Sequence, residues 1–171
     1  MIGSGCDLDK TRIRMIGNNN QIFIGDNVSI KQCGNLWTEG NNCKIIIKNN
    51  CTFTGFLQII AQEDNSEITI GADCMFSNHV IVQSSDSHPI YNLKTGERTN
   101  PAKNVSIGNH VWVGPYCRIL RGVHIGDNSI IGSGSIVTKD IPQNVTAVGV
   151  PAKVVREGVF WSRDSLWNVR W

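Results

Sequence analysis

Ile107, Val113, Ile119, Ile125, Ile131 and Val137 are all aliphatic, and each follows the last by six residues. Helical faces recur near 3.6 residues and strand faces near 2, so neither a helix nor a flat sheet produces this spacing. The cycles read IGNHVW, VGPYCR, ILRGVH, IGDNSI, IGSGSI and VTKDIP. Gly, Asn or Asp often follows the aliphatic residue, and these types accept the backbone of a tight corner. A short strand and a corner, repeated, make one unit stacked many times. The expected fold is therefore all-β: a solenoid of short strands and corners.

Earlier cycles start at Ile16, Ile24, Ile30, Ile47, Phe53, Ile59, Ile70, Phe76 and Val82, with imperfect phase between groups. The fifth position of many cycles is small: Val28, Cys51, Cys74, Val111, Cys117 and Ser129. The pattern resembles the hexapeptide repeat of left-handed parallel β-helix proteins, in which three hexapeptides make one triangular coil, and a large and a small residue sharing the interior suit such a narrow prism. Between Val82 and Ile107 the period lapses for 25 residues in a polar, proline-containing stretch. Residues from about 84 to 104 are therefore expected to protrude as a loop, and insertions of that length in compact folds are usually functional. A tail from about 157 to 171 carries Trp161, Trp167 and Trp171 among Arg163 and Arg170. It reads as a packing segment, with saccharide or CoA contact as the alternative.

At 171 residues with a net charge of +2, the chain fits one domain, residues 1–171, and gives no reason to invoke nucleic acid. No apolar run is long enough to cross a membrane. The opening residues lack the pattern of a secretory signal, so a cytoplasmic location is expected. The six cysteines include three in the small inward slot, where a thiol acts as a compact hydrophobe. Reduced thiols are the expectation.

Two stretches carry a more specific signal. One is DSHPIY at Asp86–Tyr91, inside the insertion; the other runs from Ile107 to Glu157 and includes VTKDIPQNVTAVGVPAKVV. Together they resemble the hexapeptide-repeat O-acetyltransferases, the galactoside, capsule and sialic-acid enzymes in particular. The resemblance implies acetyl-CoA as co-substrate, a saccharide acceptor, no metal, and a homotrimer with sites between subunits. His88 matches the family's catalytic histidine. A neutral imidazole near pH 7 can take the proton of a sugar hydroxyl as it attacks the thioester. Asp86 or a backbone carbonyl is the candidate to orient it.

Trp112 stands where related members also place a tryptophan, to stack on a sugar, to wall the acyl pocket or to pack at an interface. For CoA, the resemblance implies Gly114, Ser133, Thr138 and Lys139 along the pantetheine arm. It implies Lys153 and Arg156 at the phosphates. Pro115 occupies the position whose N–H would serve a developing oxyanion, and proline has none. Three rivals are a γ-class carbonic anhydrase, a non-catalytic solenoid and an N-acetyltransferase of a nucleotide-activated amino sugar. The first needs three zinc-binding histidines, and His79, His88, His110 and His124 lack the close pair.

Overall fold

The computed structural model describes residues 1–164, so Trp167, Arg170 and Trp171 lie outside the described residues. The chain winds as the expected left-handed parallel β-helix. The first face stacks β1 (Asp7–Leu8), β4 (Ser29–Ile30), β7 (Thr52–Phe53), β10 (Met75–Phe76), β13 (Trp112–Val113), β16 (Ile130–Ile131) and β18 (Val145–Gly149). The second face stacks β2 (Arg12–Ile16), β5 (Gly34–Glu39), β8 (Leu57–Gln62), β11 (Ile81–Gln83), β14 (Arg118–Ile119) and β17 (Ile136–Val137). The third holds β3 (Gln21–Ile24), β6 (Lys44–Ile47), β9 (Glu67–Ile70), β12 (Val105–Ile107) and β15 (His124–Ile125). A last strand, β19 (Ala152–Glu157), turns back antiparallel on β18 and ends the solenoid in a hairpin.

The imperfect phase of the early repeats has a geometric cause. Ser29, Thr52 and Met75 lie in register 23 residues apart, whereas Trp112 and Ile130 are 18 apart. The early inward residues run Ile47, Phe53, Ile59 and then Ile70, so the extra five residues fall after the second face. There β5 and β8 have six residues each, against two in β14 and β17. The N-terminal half is a prism with one wide face, and the C-terminal half is narrower. The wide face adds an inward column of Thr38, Ala61 and Ser84, all fully buried.

The period also misplaces one residue. Ile16 was expected inward, but it pairs with Glu39 on the outward row and is exposed. By register the inward row of β2 is Ile13 and Met15, which pair with the buried Leu36 and Thr38 but stay exposed because β2 is the open edge of this face. Because strand side chains alternate between faces, an odd offset of three residues moves a side chain to the opposite face.

The other large aliphatics point into the prism, and so do Val28, Cys51, Cys74, Val111, Cys117 and Ser129. All six cysteines are free. Each buried Ile or Phe contributes about 1.5–3 kcal/mol by leaving water. Phe53 and Phe76 meet edge to face at 5.0 Å. Outside, corner amides tie coil to coil, as Asn42 Nδ2 donates to Asn65 Oδ1 at 3.1 Å and Asn27 Nδ2 to Asn50 Oδ1 at 3.3 Å.

Candidate functional site

The insertion leaves the prism after β11 and returns to it at β12, at the corner between the second and third faces. It is held by a dense set of polar contacts. Arg98 grips Glu63 of the coil below with two hydrogen bonds, Nη1 to Oε2 at 2.6 Å and Nη2 to Oε1 at 2.7 Å. Ser85 Oγ donates to the same carboxylate at 2.6 Å. From the coil above, Arg121 Nε donates to Asp86 Oδ2 at 2.8 Å. Tyr91 and Arg98 bridge antiparallel within the loop.

Asn100, 2% exposed, ties these parts together. Its Nδ2 donates to Asp86 Oδ2 at 3.0 Å and to the His88 carbonyl at 2.9 Å, and its Oδ1 accepts from the Ile90 N–H at 2.6 Å. The backbone on both sides of His88 is thus pinned, while the imidazole faces solvent. Among the described residues its ring forms no hydrogen bond within the chain. Asp86, one candidate to orient the ring, instead serves Asn100 and Arg121.

Those contacts set the charge states of the clamp. The hydrogen bonds from Arg98, reinforced by Ser85, hold Glu63 down from its ordinary 4.5 to about 2, against the opposing effect of burial. Asn100, and then Arg121, depress Asp86 likewise. A carboxylate whose folded pKa is lowered stabilises the fold fully above its unfolded value, and the gain is lost as pH falls through the folded value. Loop amides from 84 to 104 should therefore lose hydrogen-exchange protection as pH drops from about 4.5 to about 2, before the solenoid core opens. Flat protection across that window would mean that the clamp does not hold the loop.

Two grooves flank the loop. One, of about 380 Å³, is lined by Asp86, Lys103, Leu120, Arg121, Gly122 and Thr138. The other, of about 280 Å³, is lined by Glu39, Gly40, Gln62, Glu63, Ser85 and Ser87. Thr138 and the exposed Lys139 stand at the same corner as the His88 loop.

The other expected site residues lie elsewhere. Trp112, on β13 of the first face, points outward and is 37% exposed. Gly114 and Ser133 form the next corner, between the first and second faces. A Cβ on Gly114 would stand 2.8 Å from the Ser133 backbone nitrogen, so glycine keeps that corner open. The Gly114 N–H donates to Ile131 O at 2.8 Å and is not free for an oxyanion. Lys153 and Arg156 are exposed on β19, at the C-terminal end. One chain thus does not bring His88 together with Trp112, Gly114 and Ser133.

The tail packs back on the prism. Trp161 stacks on His110 at 4.1 Å, and its Nε1 donates to the His110 carbonyl at 2.7 Å. Trp161 also lies 6.1 Å from Trp112. Arg163 reaches Asp73 Oδ1 at 2.6 Å and Thr52 Oγ1 at 2.9 Å. The sequence reading missed Asn100, Arg121 and the Arg98–Glu63 pair. A lone Asn or Arg carries no local signal, and its partners are 10 to 35 residues away.

A stack of short parallel strands with one looped-out corner defines a hexapeptide-repeat solenoid. The family model of the bacterial transferase hexapeptide (six repeats) matches residues 104–139. The solved polysialic acid O-acetyltransferase OatWY superposes with a TM-score of 0.89 at 36% identity, covering 98% of this chain and 78% of that one. A galactoside acetyltransferase solved in complex with coenzyme A superposes at 0.53 with 30% identity, over 84% of this chain and 66% of the other. Galactoside O-acetyltransferase of Escherichia coli (strain K12) is 51% identical over 79 residues, 45% of this chain. The chain belongs to the hexapeptide-repeat transferase family. It spans 38% and 27% of the lengths of two curated relatives that it matches. No helix among the described residues is long and apolar enough to cross a membrane.

Proposed function

We propose that this chain transfers acetyl from acetyl-CoA to a hydroxyl of an acidic surface saccharide, with His88 as general base. The observation that carries the reading is the looped-out imidazole, turned to solvent while its backbone is pinned by Asn100. The imidazole accepts the acceptor's hydroxyl proton as the oxygen attacks the thioester carbonyl. The C–S bond then breaks, and the imidazolium returns the proton to the departing CoA thiolate. Atoms and charge balance without an acyl-enzyme.

CoA lies along the corner at Gly114 and Ser133 in this reading, with Thr138 and Lys139 of a neighbouring subunit nearby and its phosphates at Lys153 and Arg156. The separation of His88 from Trp112 on one chain supports a homotrimer in which each site is completed across subunits. Trp112 then walls the acyl pocket. Pro115 offers no N–H and that of Gly114 is spent, so the Ser133 amide at the same corner is the donor this reading gives the oxyanion.

The test is to incubate the protein with acetyl-CoA and a panel of sialic-acid and neutral oligosaccharides, following thiol release and product NMR. An acetyl ester on a sialic-acid hydroxyl is expected. Absence of CoA release with every saccharide would remove the reading.

A further inference from the structure

Each coil has a residue with positive φ at its corners. At the corner entering the first face these are Asn27, Asn50, Asp73, Asn128 and Asn144, with His110, covered by the Trp161 ring, as the one aromatic member, and at the corner entering the third they include Asn19, Asn42 and Asn65. Asn and Asp tolerate that backbone, whereas bulky side chains do not. The corner between the first and second faces is different. Its positive-φ residues are Lys10, Gln32, Cys33, Gly55, Phe56, His79, Tyr116 and Gly134. Three rings on successive coils stack there, Phe56 on His79 at 4.6 Å and His79 on Tyr116 at 4.8 Å. Phe56 is 51% exposed and Tyr116 61%, so burial does not repay the strain. Costly backbone at exposed aromatics points to a use outside the fold.

The stack is bounded by two small rungs. Above Tyr116 stands Gly134, where a Cβ would meet nothing within 4 Å. Below Phe56, at Cys33, the corner opens into a groove of about 320 Å³. Lys10, Arg12, Cys33, Asn35, Phe56 and Gln58 line it, and the lining holds no carboxylate. The ring face of Phe56 turned away from His79, two cations and two amides therefore meet in one notch.

We propose that this notch, whose Phe56 wall lies two coils from the Gly114 corner, is a docking subsite for a carboxylated sugar residue of a polymeric acceptor. The apolar face of the sugar rests on Phe56, its carboxylate meets Lys10 and Arg12, and its hydroxyls meet Asn35 and Gln58. The inference rests on the acidic-saccharide reading above and adds that the acceptor is a chain long enough to reach both places.

Phe56→Asn keeps a residue suited to positive φ while deleting the ring, so its thermal midpoint should match or exceed wild type. Titrated with a sialic-acid polymer, it should bind roughly three- to tenfold more weakly. Lys10→Gln with Arg12→Gln should do the same and remove most of the salt dependence. Neutral dextran should bind neither wild type nor variants. In turnover, KM for the polymer should rise while the rate on a sialic-acid monomer and KM for acetyl-CoA stay unchanged. Polymer binding sensitive to these variants in a protein that transfers no acetyl would keep the subsite and sink the proposed function. Equal polymer binding by all variants would overturn the subsite. So would loss of assembled mass in Phe56→Asn, which makes the ladder a subunit contact, or weakened binding of 3′,5′-ADP, which makes it a nucleotide site.

Discussion

His88→Ala is expected to lower turnover by roughly 100- to 10,000-fold, the range a general base contributes, with the solenoid intact. The fold does not lean on the side chain. The ring is exposed, and the one hydrogen bond that fixes this residue uses its carbonyl oxygen, which alanine retains. Thermal unfolding of the variant should coincide with wild type. KM for acetyl-CoA should hardly move, because the imidazole acts on the acceptor hydroxyl. A folded His88→Ala protein with wild-type turnover would take the residue out of the mechanism.

The architecture was legible because the solenoid writes its core into a short period. Ile107 to Val137 each supply one inward side chain per face, and no distant contact is needed to see it. Legibility failed where coils grew to 23 residues. The five added residues lengthen one face without changing what lines the other two. Ile16 stands eight residues before Ile24, out of the six-residue phase, and on the wide face the inward parity belongs to Ile13.

The site was legible only in part. His88 and Trp112 stand in local motifs, and the loop announces itself by losing the period. What holds the loop was not legible, because Glu63–Arg98 and Asp86–Arg121 join residues 35 apart through space. The aromatic corner was hidden for a similar reason. Phe56, His79 and Tyr116 fall 23 and 37 residues apart, and only the insertion makes the second interval longer than the first.

Asn100 tests whether pinning the loop matters to chemistry. Its amide makes three well-formed hydrogen bonds in a buried place, to Asp86, to the His88 carbonyl and from the Ile90 N–H. Asn100→Ala strands those partners, at about 1–3 kcal/mol for each left unsatisfied. The loss falls on the loop, since the core residues of the coils touch none of them. Hydrogen exchange should rise across residues 86 to 99 while the core amides keep their protection. Misplacing a catalytic group by about 1 Å can cost about 100-fold, so kcat should fall by up to that factor with KM for acetyl-CoA preserved. Asn100→Asp is nearly isosteric yet should be no milder. It replaces the donor to Asp86 with a carboxylate facing a carboxylate, and like charges in contact repel. Lowering the pH toward the carboxylate range should narrow the stability gap between Asn100→Asp and wild type, because protonation restores a donor. Full turnover from Asn100→Ala with an unprotected loop would show that the base works without being held, and the clamp would then be structural only.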